Sequence, residues 1–291
     1  MPERTHVSIV IPAYNEEDSI CEVIDQIEAV MKSQDESYEI LVVNDGSTDK
    51  TGEVLKHAPA RMIEHEFNRG YGASLKTGIK KAHGDIIVIT DADGTYPPEA
   101  IPDILSHMSE CDMVVGARVG AKVKIPTIRK PAKWFLSKLA NYLSGTKIPD
   151  LNSGLRAFRK ETVMEFYHML PRGFSFTTTI TLGMHSSDYV IKYIPIDYLK
   201  RSGKSKIHPI KDTLNFILLI ISTIMYFNPL KVFLPISFIV FILGLILLGY
   251  DIFVIQNIGD KTVFVLSIAF LTGMLGMLAD LIVKRIDRIR D

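Results

Sequence analysis

Two long uncharged stretches close this chain and limit what it can become. Val232–Tyr250 holds nineteen residues without a charge, and Thr262–Ala279 holds eighteen more. A helix needs about 20 apolar residues to cross the hydrocarbon core of a bilayer. Ile252–Ile255 and Leu281–Val283 extend the two runs, giving spans of about 232–255 and 262–283. Between them, Asp251–Lys261 reads as a short polar connection containing Asn257 and Gly259. Backbone polar groups cannot be left open in lipid, so the pair is expected to form a transmembrane helical hairpin. A third uncharged stretch, Thr213–Leu230, is broken by Asn215, Ser222, Thr223, Asn228 and Pro229, and only Lys231 separates it from the next span. The tail carries Lys284, Arg285, Arg288 and Arg290, and the stretch Lys200–Lys211 is also basic. The positive-inside rule places both on the cytoplasmic side, which an even number of spans satisfies. Thr213–Phe227 is therefore read as a helix lying in the membrane interface. The expected organisation is a soluble domain over residues 1–210, an interfacial segment over 211–230, and a hairpin with a short basic tail over 231–291. The catalytic domain and both termini are expected on the cytoplasmic side.

Lys+Arg and Asp+Glu both number 33, so the chain has no net formal charge. A general nucleic-acid binder carries a basic excess, and none is expected as a partner here. Cys21 and Cys111 match no disulfide framework or metal spacing and read as reduced core thiols. Met1–His6 is polar and the apolar run Val7–Ile11 is too short for a secretory leader.

The soluble part alternates in character. Val7–Ile11, Glu39–Val43, Asp85–Thr90 and Asp112–Val115 are short apolar runs stopped by Pro12, by Asn44-Asp45-Gly46, by Asp91 and by Gly116. Such runs suit strands buried on both faces. Helix-like segments lie between them at Glu16–Lys32, Thr48–His57, Tyr71–Ala82 and Pro97–Met108. The expected fold is α/β, a mainly parallel sheet with helices on both sides. The polar residues gather just after each strand, at the carboxyl edge where open α/β sheets bind ligands.

A dinucleotide site is disfavoured, because Pro-Ala-Tyr-Asn-Glu-Glu follows the first strand without a glycine. Gly70-Tyr71-Gly72 is a lone G-x-G, there is no P-loop, and the eight histidines form no H-E-x-x-H. The informative turn is Asp91-Ala92-Asp93, directly after the Asp85–Thr90 strand. In an extended chain alternate residues point to one side, so two carboxylates would face one spot. A cation is their natural partner, and hard oxygen ligands in small number suit Mg²⁺ or Mn²⁺ sharing the phosphate oxygens of a substrate. Such a metal would stabilise a diphosphate as a leaving group.

Four motifs in order carry a resemblance over most of residues 7–210: Val7-Ser-Ile-Val-Ile-Pro-Ala-Tyr-Asn-Glu-Glu17, Val43-Asn-Asp-Gly-Ser-Thr-Asp49, Asp91-Ala-Asp-Gly-Thr-Tyr-Pro-Pro-Glu99 and Asn152-Ser-Gly-Leu-Arg-Ala-Phe-Arg159. They resemble family 2 glycosyltransferases, most closely the dolichol-phosphate mannose synthase branch with its bacterial polyprenyl-phosphate sugar synthases. The resemblance implies a GT-A fold and an inverting transfer of a sugar from a UDP- or GDP-linked donor to a polyprenyl phosphate, dolichyl or undecaprenyl. It implies nucleotide-sugar contacts from Pro12, Tyr14, Glu16, Asp45 and the Asp91-Ala92-Asp93 turn. It assigns Asp91 and Asp93 to the metal and diphosphate, and it turns Arg118, after the fifth strand, toward phosphate.

The segment Lys200-Arg201-Ser202-Gly203-Lys204-Ser205-Lys206 precedes the interfacial helix. One reading is attraction to anionic lipid. The other is phosphate binding by Arg201, Lys204 and Lys206, with the small Gly203 and Ser205 allowing close approach; the family has a similar element here. Arg129, Lys130 and Lys133 add positive charge, as phosphate ligands or as a solvated helix face. A polyprenyl phosphate is largely dianionic near neutral pH, so it is its own nucleophile and needs no strong base. The oligomeric state stays open, a homo-oligomer included.

The chain departs from the mannose synthases at Thr95, where glutamine is usual, at Thr177–Thr179, where an acid is usual, and at Tyr193, where glutamate is common. Mannose is therefore not assumed. Two alternatives remain. One is a transferase acting on a lipid-linked oligosaccharide or another hydroxyl acceptor, which needs a general base such as Asp150. The other is a non-catalytic membrane binding module.

Overall fold

A computed structural model of the chain describes residues 7–118, 138–142, 145–173, 175–198 and 209–290. Seven strands form one sheet: β1 (Val7–Ala13), β2 (Tyr38–Asn44), β3 (Arg61–Glu64), β4 (Ile86–Ile89), β5 (Met113–Ala117), β6 (Arg156–Arg159) and β7 (Ile191–Pro195). Their spatial order is β3-β2-β1-β4-β6-β5-β7. β1 pairs in parallel with β2 and β4, β2 with β3, and β5 with β7, while β6 runs antiparallel to both β4 and β5. The mainly parallel sheet is thus as expected, with one reversed strand inserted. The expected strands are present with ends shifted by one or two residues, and β1 runs through Pro12 to Ala13.

Alternation along the strands divides the core. Val7, Ile9 and Ile11 point to one face, where α1 (Ile20–Met31), α2 (Thr51–Leu55) and α4 (Ala100–Ser106) supply Ile24, Leu55 and Ile104. Val10, Ile87 and Ile89 point to the other, where α3 (Tyr71–Lys81), α5 (Lys160–Glu165) and α6 (Phe176–Ser186) supply Leu75, Val163 and Ile180. Burial on both faces explains why the strands read as continuous apolar runs rather than alternating ones. The chain winds outward from β1 through β2 to β3, then crosses to β4 on the other side of β1. The carboxyl ends of β1 and β4 therefore flank a topological switch point, where the strand order opens a crevice.

A third cluster joins this domain to the C-terminal region. Ala140, Ile148 and Leu182 pack with Ile220 and Ile224 of α7 (Pro209–Phe227). Phe227 adds a ring contact with Phe166 at 6.0 Å. The opposite side of α7 exposes Leu218, Met225 and Tyr226. Asn228 and Pro229 then separate α7 from α8 (Leu230–Tyr250), which pairs with α9 (Asp260–Arg290). Leu230–Ile255 and Asp260–Arg285 are both long and apolar enough to cross a membrane.

The turn of this hairpin differs in part from the expected polar connection. Helical structure continues beyond α8 as a wide π turn over Asp251–Ile255, and Gln256 takes a left-handed conformation at φ 57°. The outward residues Ile252, Phe253, Val254, Ile255 and Ile258 are apolar, Phe253 being 84% exposed. Asp251 is turned inward, buried and accepting hydrogen bonds from the Gly259 N–H at 2.8 Å and the Thr262 hydroxyl at 2.7 Å, while Gln256, Asn257, Asp260 and Lys261 stay exposed and keep the rest of the connection polar as expected. An acid at a turn satisfies backbone and hydroxyl donors that would otherwise be orphaned, which spacing alone does not reveal.

Candidate functional site

The first two motifs hold each other in place. After β1 the chain turns at Asn15, whose φ of 57° is in the left-handed region that Asn tolerates. The Asn15 N–H donates to the Ser47 hydroxyl at 3.0 Å, and its side-chain carbonyl accepts from the Thr48 N–H at 2.8 Å. The Glu16 N–H donates to the Thr51 hydroxyl at 2.9 Å, and Glu17 accepts from the Lys50 N–H at 2.8 Å. This stitching fixes Pro12, Tyr14 and Glu16 beside the end of β2, with Tyr14 44% exposed at the rim. Asp45 is different: it is buried and already committed. Its oxygens accept from the Arg69 N–H at 3.0 Å and the Gly70 N–H at 2.8 Å, and His65 Nδ1 lies 2.6 Å away. His65 Nε2 in turn meets the Thr77 hydroxyl at 3.0 Å, so this histidine belongs to the core.

The lone G-x-G serves packing. A β-carbon at Gly72 would stand 2.3 Å from the Pro171 carbonyl, and the Ala73 N–H donates to the Arg172 carbonyl at 2.9 Å. The first turn of α3 is thus covered by the main chain of residues 171–173 and presents no open phosphate cradle.

The acidic turn sits at the switch point, directly after β4. Ala92 and Asp93 occupy a turn and Gly94 has φ 67°, so the geometry is not the extended chain expected there. Both carboxylates are nevertheless placed from one short loop and each is held by a hydroxyl. The Tyr71 hydroxyl donates to Asp91 Oδ1 at 2.9 Å, and the Thr95 hydroxyl donates to Asp93 Oδ1 at 2.6 Å with the Thr95 N–H at 3.2 Å. Burial first, then the negative charge of Asp91, pushes the Tyr71 phenol well above its ordinary range, so it stays a donor. Thr95 thus does locally for Asp93 what a turn residue does, hydrogen-bonding the preceding acid.

Opposite the acidic turn lies the loop before β6. Gly154 packs directly on Asp91, where a β-carbon would stand 2.7 to 2.9 Å from the carboxyl atoms. The Gly154 N–H donates to the Tyr96 hydroxyl at 2.6 Å, and the Ser153 hydroxyl donates to the Gly116 carbonyl. Behind this loop Arg156 is fully buried. Its guanidinium donates to the Ser153 carbonyl, the Thr177 carbonyl at 3.2 Å and the Thr181 hydroxyl at 2.7 Å. No carboxylate pairs with it among the described residues, and burial lowers its pKa.

Arg118 is partly committed within the protein. Nε donates to Asp150 Oδ2 at 2.7 Å, Nη2 donates to Oδ1 at 2.9 Å, and the backbone N–H adds a third bond at 3.0 Å. Its guanidinium carbon also lies 5.2 Å from the Tyr198 ring centroid. Burial alone would push the Asp150 carboxyl up, but the hydrogen bonds and charge of Arg118 outweigh it and hold the acid below the ordinary range. A carboxyl so held is a poor general base.

At the Thr177–Thr179 departure, the Thr178 hydroxyl donates to Asn152 Oδ1 at 2.6 Å, while the Thr179 hydroxyl is buried without a hydrogen-bond partner. Arg129, Lys130, Lys133, Arg201, Lys204, Ser205 and Lys206 lie outside the described residues. Among the described residues no group of three or more His, Cys, Asp or Glu side chains is arranged to hold a metal. Sequence reasoning missed Tyr71, Tyr96, Gly154 and Arg156. Tyr96, Gly154 and Arg156 lie inside the quoted motifs without having been singled out, and Arg156 also stands out as a charge inside an otherwise apolar Leu155–Phe158 run.

These motifs have counterparts in known proteins. The glycosyl transferase family 2 profile matches residues 8–166, and the GtrB C-terminal hairpin profile matches residues 228–284. A dolichyl-phosphate hexose transferase of Haloferax volcanii is 31% identical over 206 residues, covering 70% of this chain and 87% of that protein. An undecaprenyl-phosphate 4-deoxy-4-formamido-L-arabinose transferase of Pseudomonas fluorescens is 32% identical over 213 residues, covering 70% of this chain but only 61% of that longer protein. In structure, the chain resembles glucosyl-3-phosphoglycerate synthase of Mycobacterium tuberculosis, solved with Mn²⁺, UDP and glucosyl-3-phosphoglycerate. The TM-score is 0.59 at 22% identity, covering 75% of this chain and 80% of that one, a likeness of fold.

Proposed function

The chain belongs to glycosyl transferase family 2, and from this premise we propose that it moves a sugar from a nucleotide diphosphate onto a polyprenyl phosphate at the cytoplasmic face of a membrane. Membership makes it an enzyme with a GT-A domain and a membrane-associated C-terminal hairpin, which sets aside a non-catalytic binding module. The observation that carries the acceptor assignment is the coupling of two parts. The Asp91–Asp93 turn lies at the sheet's switch point, and the same domain is packed through Leu182 against α7, which leads straight into the hairpin. Both relatives named above carry a polyprenyl phosphate in their names.

In this reading Pro12, Tyr14 and Glu16 line the nucleoside end, and Asp45 shapes it by fixing the 69–70 backbone. Asp91, Ala92 and Asp93 face the diphosphate. Two carboxylates without histidine or cysteine form a hard donor set that fits Mg²⁺ or Mn²⁺ completed by phosphate oxygens. The metal, when bound, supplies charge neutralisation of the departing diphosphate. The chain's own residues do the rest. An oxygen of the lipid phosphate attacks the anomeric carbon from the face opposite the leaving group, the bond to the diphosphate breaks, and the configuration inverts. No proton needs removing, which agrees with an Asp150 carboxylate that is locked to Arg118. That lock also disfavours a hydroxyl acceptor activated by Asp150. Arg118 has committed Nε and Nη2, so it meets an acceptor phosphate through Nη1; Arg129, Arg201, Lys204, Ser205 and Lys206 are assigned to phosphate binding from the sequence alone.

Incubating the full-length protein with polyprenyl phosphate, Mn²⁺ or Mg²⁺ and a panel of UDP- and GDP-sugars, read by mass spectrometry, tests this. One lipid-phosphate sugar should form, and Asp93→Ala should abolish it. Transfer only to hydroxyl acceptors would reject the reading.

A further inference from the structure

We infer that Tyr71 and Gly154 are positioning residues that set the Asp91 carboxylate before any ligand arrives; this rests on the function proposed above. Asp91 follows the last residues of β4 on a turn, where a carboxylate on a single χ1 bond has several staggered choices. Two features of different origin remove that freedom. From one side the Tyr71 hydroxyl, on the first turn of α3, donates to Oδ1 at 2.9 Å. From the other, the main chain at Gly154 lies so close that a β-carbon there would come within 2.7 Å of Oδ2 and 2.8 Å of Oδ1.

Each feature has its own anchor. Tyr71 is placed by Gly70 and Gly72, which let α3 start against the 171–173 main chain. Gly154 is placed by Tyr96, whose hydroxyl accepts its N–H at 2.6 Å, and by buried Arg156, whose guanidinium grips the Ser153 carbonyl. The glycine is required by proximity to Asp91 rather than by backbone conformation, since its φ is not in the left-handed region. A carboxylate clamped between a hydroxyl and a main-chain wall meets a cation without first losing rotamer entropy. Partners that orient a ligating group in this way are typically worth roughly 10- to 100-fold in metal affinity or activity.

The test titrates Mn²⁺ into the full-length protein in micelles, with UDP or GDP present, and follows free Mn²⁺ by electron paramagnetic resonance. Tyr71→Phe keeps the ring and removes only the donor. It should bind Mn²⁺ about tenfold more weakly and lower kcat while still unfolding cooperatively. Mn²⁺ affinity within about twofold of wild type would overturn the role of Tyr71. The Gly154 half is read by stability as well. Gly154→Ala should weaken Mn²⁺ binding and lower the unfolding midpoint, and the midpoint should be restored when Asp91→Ala is added, because the clash is with that carboxyl. An equal loss of stability in both backgrounds overturns this half, and decides the matter for it even if Tyr71→Phe fails to fold. A wild-type protein that binds no Mn²⁺ and transfers no sugar would take down the proposed function together with this inference, whereas a wild type that binds Mn²⁺ beside an unaffected Tyr71→Phe rejects the inference alone.

Discussion

Arg118 and Asp150 show how a single pair can change a site's chemistry. Three hydrogen bonds tie the acid to one arginine, so removing either partner leaves the other charge poorly solvated. Asp150→Asn and Arg118→Ala are each expected to cost about 3 kcal/mol of stability. The double variant should lose clearly less than the sum, which equilibrium unfolding of all four proteins would measure. His185 sets an acid limit. Its ring stacks on Tyr193 and contacts the hydroxyls of Tyr193 at 3.0 Å and Thr146 at 3.2 Å, and burial lowers its pKa. The unfolded chain therefore takes up a proton first as pH falls below about 6.5. Stability should be fully present above that value and decline below it, and His185→Gln should flatten the slope in a thermal-unfolding series across pH. At this scale the acidic turn was readable, because two acids after an apolar run have few other uses. Tyr71 was not, since its partner Asp91 is twenty residues away and only the fold brings them together.

The elements that join domain and membrane depend on one face of α7. Ile220, Thr223 and Ile224 are buried at helical spacing, while Leu218, Met225 and Tyr226 look outward. Ile224→Ala should cost about 3 kcal/mol, the usual loss for a buried branched residue. In kinetics varying each substrate separately, it should raise KM for the lipid phosphate and spare nucleotide affinity; equal losses for both would place α7 outside acceptor handling. The parallel strands β1, β2, β4 and β5 were legible because burial on both faces leaves little room for polar residues. β7, a half-buried edge strand carrying Lys192, was not, and β3 and β6 were not, for the opposite reason. β3 is an edge strand, bounded by Arg61 and Glu64, and β6 carries Arg156 and Arg159 at its ends, so neither presents an apolar run. The helix ends shifted inward because their first turns are spent on loop contacts, as where Glu16 and Glu17 hold the 49–51 segment.

In the proposed reading the whole molecule combines a domain for a soluble donor with a hairpin that keeps it near a lipid acceptor. If both apolar helices span, as proposed, both ends of the chain lie on one side of the bilayer. Cysteines introduced at Glu36 and Asp291 should therefore react with an impermeant maleimide from the same side in oriented vesicles; labelling from opposite sides would break the two-span arrangement. The hairpin also has a dimension that matters. Leu230–Ile255 is 26 residues long. At about 1.5 Å per residue that is about 39 Å, against a hydrocarbon layer of about 30 Å. Its turn hides Asp251 and shows Phe253, and the first exposed charges, Asp260 and Lys261, come only after that helix has ended. Excess apolar length of this kind is absorbed by leaning or by local thickening of the lipid. Membrane thickness then becomes a setting of the enzyme. In the proposed reading a thicker bilayer lets the hairpin stand upright and a thinner one makes it lean, and because the hairpin joins α7 through Asn228 and Pro229 and packs Val232 against the Ala140–Ile224 cluster, that lean is handed on to the seat of the catalytic domain.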